Sequence, residues 1–193
     1  MRVIAGSAKG TKLYGAKGRK LRPVLDRVKE ALFAALGDLV EGARVLDLFA
    51  GVGNLGIESL SRGAEHADFI EQNKATAGAI RDNLERTHLA DRARVYAAEL
   101  PRGLSRAHGQ YGLIFVDPPF RIEKRILEGL FRLIRERRLL DRRGLLVYRH
   151  SPQSWYEPPA GEWSLEERRD YGDSILSMYV TRDGGGEAGR SEA

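Results

Sequence analysis

Asp117-Pro118-Pro119-Phe120 is the stretch whose residue types point most directly to chemistry. A carboxylate followed by two prolines and an aromatic ring puts a charged acceptor, a rigid backbone carbonyl and a π-face in one small loop. Those groups fit a planar base that carries an exocyclic amine. The amine hydrogens go to the Asp117 carboxylate and the Pro118 carbonyl, while Phe120 stacks on the ring at roughly 1–3 kcal/mol. A second constellation lies earlier in the chain. Gly51, Gly53 and Gly56 satisfy G-x-G-x-x-G directly after the apolar run Val45-Leu46-Asp47-Leu48-Phe49. Glycines there permit a tight strand-to-helix turn and let a ligand lie against bare backbone, beside helical N–H groups that lack acceptors of their own. Glu71 follows about 20 residues on, at the end of the next apolar run, where an acid can accept from both hydroxyls of a ribose.

The glycine turn alone suits NAD as well as S-adenosylmethionine. Two features favour the methyl donor. Asp47, in the run before the glycines, suits the ammonium of the donor's methionine portion and would repel a pyrophosphate. The chain also lacks the substrate domain a dehydrogenase usually carries and shows no obvious hydride-transfer acid. The Asp117 loop decides between them: the reading is methyl transfer from S-adenosylmethionine to the exocyclic amine of a base.

The elements that must position these residues follow from hydrophobic spacing. Val28, Leu32, Leu36 and Leu39 recur at three and four, which predicts an amphipathic helix over 26–39. Strands and helices then alternate: strand 43–49, helix 54–62, strand 67–71, helix 74–86, strand 94–97, strand 111–117, helix 123–138 and strand 144–150. Residues 163–169 and 174–182 read as an antiparallel hairpin. This order demands a seven-stranded, mostly parallel Rossmann-like α/β sheet with right-handed crossovers and a C-terminal antiparallel hairpin. Ligands in such sheets bind at the carboxyl ends of the strands, where the loops above lie.

Length and composition bound the rest. The 193 residues make one domain, divided here into a small basic N-terminal hairpin arm over 1–22, outside the core, a catalytic unit over 23–182 and a flexible tail over 183–193. Net charge is +5, yet residues 1–29 hold nine basic residues and one acid. That asymmetry points to a polyanion, and Lys9, Lys12, Lys17, Arg19, Lys20, Arg22 and Arg27 are the candidate nucleic-acid contacts. A second cluster at Arg132, Arg135, Arg137, Arg138, Arg142 and Arg143 reads equally well as an extension of that track or as a solvated helix face. There is no cysteine, which excludes disulfides, thiolate metal sites and thiol nucleophiles. The four histidines show no ligand spacing, so no metal is expected. No apolar run approaches the roughly 20 residues of a membrane span, and the expectation is a cytoplasmic monomer.

At this point the residues carry a resemblance. Arg2-Val3-Ile4-Ala5-Gly6, Arg22-Pro23, Asp26-Arg27-Val28-Lys29-Glu30-Ala31-Leu32-Phe33, Asp47-Leu48-Phe49-Ala50-Gly51 and Arg169-Asp170-Tyr171-Gly172-Asp173 together resemble the RsmD family of class I methyltransferases, with Asp117-Pro118-Pro119-Phe120 as its motif IV. The resemblance spans residues 2 to about 182. It implies methylation of guanine N2 in small-subunit ribosomal RNA, with the ribosomal particle as partner. It also implies S-adenosylmethionine contacts at Asp47, Gly51, Gly53, Glu71 and Glu99, and a target-base site at Asp117 to Phe120. Four positions depart from the family pattern. Val24 stands for Thr, Ala34 for Asn, Val52 for a small polar residue and Glu99 for Asp. The alternatives are amino-methylation of DNA adenine N6 or of another RNA, and a module that binds RNA or donor without turnover.

Overall fold

The structure, a computed structural model, describes residues 1–15, 26–119 and 121–182. After Asp26 the chain alternates α1 (Asp26–Leu36), β1 (Arg44–Leu48), α2 (Asn54–Ser61), β2 (His66–Glu71), α3 (Lys74–Arg86), β3 (Ala93–Ala97), β4 (Tyr111–Val116), α4 (Lys124–Glu136) and β5 (Leu140–His150). Two further strands, β6 (Trp163–Tyr171) and β7 (Ser174–Thr181), end it. All seven strands form one sheet in the order β3-β2-β1-β4-β5-β7-β6. β1 to β5 run parallel, and β7 pairs antiparallel with both β5 and β6. The expected mostly parallel sheet with its C-terminal hairpin is therefore present. Two predicted boundaries move by three residues or more: the helix expected over 26–39 ends at Leu36 and tightens into a 3-10 turn over Gly37–Val40, and the strand expected over 144–150 begins at Leu140.

Side chains alternate across the sheet with the period of two that a strand imposes, and so feed two cores. Val45, Phe69, Leu113, Phe115 and Val147 join Leu32, Phe33, Ile57, Leu60 and Ile80 of the first three helices. Leu46, Leu48, Ile114, Val116, Leu146 and Tyr148 face Leu127, Leu130, Phe131 and Ile134 of α4. Each fully buried side chain of this size contributes about 1.5–3 kcal/mol. Phe131 is the centre of the second core, with the rings of Tyr148, Tyr156, Trp163 and Tyr179 at centroid distances of 5.3–6.1 Å. Those contacts lock the antiparallel hairpin and the segment before it onto α4.

The N-terminal hairpin closes through an antiparallel bridge between Arg2 and Lys12. It does not stand outside the core as expected: Val3, Ala8 and Leu13 are buried in the first core. The reason is its seat on α2. Ser7 N–H donates to the Ser61 carbonyl at 2.8 Å and Ala8 N–H to Ser61 Oγ at 2.9 Å. The approach is so close that a Cβ at Gly6 would stand 1.7 Å from the Ser61 carbonyl oxygen. Beneath the hairpin, the side chains of Lys29 and Glu58 are fully buried and paired at 3.0 Å. Lys17, Arg19, Lys20, Arg22 and Val24, Phe120, and the tail over 183–193 lie outside the described residues. Among the described residues no helix is long and apolar enough to cross a membrane.

Strand order reverses between β1 and β4. Parallel sheets bind ligands in the crevice outside the carboxyl ends of the strands at such a switch point. The loops after β1, β2, β3 and β4, and the last residues of β5, all meet there.

Candidate active site

The chain leaves β1 through a loop of left-handed residues: Phe49 at φ 59°, Gly51 at φ 57° and Gly53 at φ 81°. Phe49 is not a glycine, and holding it there costs on the order of 1 kcal/mol or more, so the surroundings must fix it. They do so from β2. Ala50 N–H donates to the Ile70 carbonyl at 3.1 Å, and Gly51 N–H donates to Glu71 Oε2 at 3.0 Å. The other oxygen of Glu71 accepts from Asn73 N–H at 2.8 Å, and Asn73 Oδ1 in turn caps α3 by accepting from Thr76 N–H at 3.0 Å. Glu71 thus ties the glycine loop to the start of α3 while keeping lone pairs for a ligand.

The three glycines have different duties. A Cβ at Gly51 would meet nothing nearer than the Phe49 carbonyl oxygen at 3.9 Å, so its positive φ is what requires glycine. At Gly56 a Cβ would stand 2.3 Å from the Phe69 ring, and at Gly53 it would stand 3.0 Å from Ile57 and 3.1 Å from Ile80. Gly51 borders the open site, Gly56 lets α2 lie close on β2, and Gly53, also at positive φ, fits against Ile57 of α2 and Ile80 of α3.

Asp47 lies beneath this loop rather than in the open site. It is buried, and its Oδ2 accepts from Gly56 N–H at 2.9 Å. Burial pushes its carboxyl well above the ordinary range; the Gly56 N–H opposes this, and the charges of Asp117 and Glu71 add to it. The acid thus braces the entry to α2 from beneath the loop.

Asp117 follows β4 at the switch point. Parallel pairing sets Val116 beside Tyr148, so the next residues along, Asp117 and Arg149, come side by side. Arg149 Nε donates to Asp117 Oδ1 at 2.7 Å and Nη2 lies 2.6 Å from the same oxygen. Asp117 Oδ2 has no hydrogen-bond partner among the described residues. Burial raises the Asp117 carboxyl above its usual range, and the Arg149 guanidinium pulls it back down. Arg149 also donates to Ser174 Oγ at 3.3 Å, which anchors it to β7.

Gly51, Glu71, Glu99, Asp117, Pro118 and Pro119 line one cavity of about 710 Å³, together with Phe49, Asn54, Arg121, Ile126 and Arg149. That volume lies within the usual range for a cofactor or small-ligand site. Of the sequence candidates, Asp47 and Gly53 are not on its wall, and Phe120 is outside the described residues. Ile126 of α4 also faces the cavity. Arg149 and Asn54 were not singled out by sequence. No short motif marks Arg149, since only the β4–β5 register reveals its neighbour. Lys9, Lys12 and Arg27 are exposed, whereas Lys29, counted in the basic segment, is buried. Among the described residues no group of three or more His, Cys, Asp or Glu is placed to hold a metal ion.

The wall fits S-adenosylmethionine on its own chemistry. Acids at the ends of β2 and just beyond β3 suit ribose hydroxyls and an adenine amine, a left-handed glycine allows close backbone approach, and a buried side-chain amide nitrogen of Asn54 has no acceptor among the described residues. The family described as conserved hypothetical protein 95 matches residues 1–180. The Bacillus subtilis protein YlbH is 37% identical over 186 residues, covering 94% of this chain and 100% of that one. Ribosomal RNA small subunit methyltransferase D of Escherichia coli K12 is 33% identical over 188 residues, covering 97% and 93%. The solved structure of yhhF from Escherichia coli superposes with a TM-score of 0.81 at 34% identity, over 94% of this chain and 97% of that one.

Proposed function

The chain belongs to the conserved hypothetical protein 95 family, that of the RsmD ribosomal RNA methyltransferases, and from that premise we propose that it methylates N2 of a guanine in small-subunit ribosomal RNA, with S-adenosylmethionine as donor. The observation that carries the reading is the Asp117 carboxylate, pinned through Oδ1 by Arg149 on the wall of the cavity, with Oδ2 left for an incoming amine.

S-adenosylmethionine, when bound, supplies a methyl carbon made electrophilic by its sulfonium, and the reaction class is in-line displacement at that carbon. Glu71 and Glu99 hold the nucleoside end of the donor by accepting from its hydroxyls and amine, and Gly51 lets it lie against the loop backbone. Guanine N2 is a poor nucleophile because its lone pair is delocalised into the ring. Asp117 Oδ2 and the Pro118 carbonyl accept its two hydrogens, which turns the lone pair out of conjugation and toward the methyl. Orienting reactants in this way supplies on the order of 7–11 kcal/mol, so most of the rate comes from positioning. A strong base is unnecessary, because methylated N2 is acidic, and Asp117 takes the proton late. A base must leave its stack to reach this loop, which favours an RNA loop or a partly single-stranded target. The basic N-terminal segment, residues 1–22, grips phosphates without reading sequence, while residues 23–182 perform the transfer.

The test is competition between acceptors. Given equal amounts of unmodified small ribosomal particles, other RNAs and duplex DNA, the protein should methylate the particles' RNA preferentially. Preference for DNA would move the function to adenine N6, and donor binding with no acceptor methylated would make the chain a binding module.

A further inference from the structure

Lys29 leaves α1 on its buried face and its ammonium has three donors, all used inside the protein. Nζ donates to the Arg2 carbonyl at 2.6 Å and to Asn54 Oδ1 at 2.9 Å, and it lies 3.0 Å from Glu58 Oε2. An ammonium can only donate, so the Asn54 atom it meets is the carbonyl oxygen, and Nδ2 is fixed on the other side of the amide. Asn54 is 7% exposed, it stands on the cavity wall, and Nδ2 is buried with no hydrogen-bond partner among the described residues. Leaving a buried amide unpaired is costly, and native structures keep such groups where a ligand completes them.

The surroundings say which ligand group that is. Glu71, Glu99 and Asp117 line the wall with acceptors suited to hydroxyl, amine and ammonium groups; of its two cations, Arg149 is held on Asp117 and Arg121 lies in the loop after β4. Asn54 instead opens α2, where the first N–H groups lack intrahelical acceptors and the helix dipole favours an anion. The buried Lys29 cation, bonded to Oδ1, polarises the amide and makes its Nδ2 hydrogens stronger donors. We infer that Asn54 binds the carboxylate of the donor's amino-acid portion, and that Lys29 is the positioning residue that sets it. This inference rests on the S-adenosylmethionine reading above. The same ammonium holds the Arg2 carbonyl, and Glu58 accepts from the N–H groups of Ile4 and Ala5 at 2.8 and 3.0 Å. The N-terminal hairpin and the carboxylate corner therefore share one charged node.

Isothermal titration of the full chain with two nucleosides tests this without turnover. S-adenosylhomocysteine carries the amino-acid portion and 5′-methylthioadenosine lacks it. Asn54→Asp keeps the Lys29 contact but sets a like charge against the carboxylate, and Asn54→Ala removes the donor, with thermal melting used to verify folding of each. Both variants should bind S-adenosylhomocysteine about tenfold more weakly or worse, with 5′-methylthioadenosine affinity held within about twofold. Equal weakening of both ligands, or no weakening of either, would overturn the role of Asn54. If the unmodified chain binds neither nucleoside, the donor reading itself fails.

Discussion

Arg149 places Nε and Nη2 at 2.7 and 2.6 Å from a single oxygen of Asp117, and the relationship is set by strand register, because β4 and β5 carry Val116 and Tyr148 side by side one step earlier. An acid and a guanidinium thus meet at the switch point of the sheet, on the wall of the cavity.

Removing Arg149 should change the pH dependence as well as the rate. Burial holds the Asp117 carboxyl above its usual range and Arg149 lowers it. In the proposed reaction the ionised form accepts the amine hydrogens, so activity should fall as pH drops through this value. In Arg149→Leu the opposing charge is gone, the carboxyl rises further, and the acid limb of the kcat profile should move to higher pH. A limb that stays in place would detach Arg149 from the tuning of Asp117.

Asp117→Ala should reduce kcat by about 10²–10⁴-fold, the range for a positioned acid–base group, while S-adenosylhomocysteine affinity stays near that of the unmodified protein. Single-turnover methylation alongside donor titration separates the two effects, and full activity in the variant would remove Asp117 from the reaction.

Asp47 offers a test through stability. Its folded carboxyl sits well above the ordinary aspartate value, with burial the chief cause. Between the unfolded and folded values the native state binds the extra proton, so stability falls as pH rises across that window. Asn at this position can still accept from Gly56 N–H without a buried charge. Asp47→Asn should therefore melt higher than the unmodified protein near neutral pH, with the gap closing toward acid. A variant that melts lower at every pH would show that the charge itself is a net brace for α2.

The sheet and its crevice were legible in the sequence because apolar spacing at two and at three-to-four directly encodes which face is buried. Gly51, Glu71, Glu99 and Asp117 were legible because strand-end residues in a parallel sheet converge. Asp47 reads as a ligand by its place before the glycines, but a carboxylate on the inward side of a strand is claimed first by the nearest helical N–H, that of Gly56. Lys29 was counted with the basic segment, although its spacing from Leu32, Phe33 and Leu36 places it on the buried face of α1. Its true counterpart, Glu58, belongs to another helix, and only the packing of α1 on α2 brings them together. Arg149 depended on a register that local sequence does not encode.

The RNA grip can be read from salt dependence. Lys9, Lys12 and Arg27 are exposed, so replacing all three with Gln should leave the fold intact and lower the slope of log K against log salt by about 2, at roughly 0.7 per single-strand phosphate contact. Deleting the hairpin would not test this, because Val3, Ala8 and Leu13 belong to the core. An unchanged slope in the triple variant would assign the phosphate contacts elsewhere.

The most direct measurement is transfer of labelled methyl from S-adenosylmethionine to small ribosomal particles that lack the modification, followed by nucleoside analysis of the RNA. Label recovered as N2-methylguanosine, and absent with Asp117→Ala, is the predicted result. Label recovered in any other nucleoside, or in N2-methylguanosine with the variant as active as the unmodified protein, would contradict it.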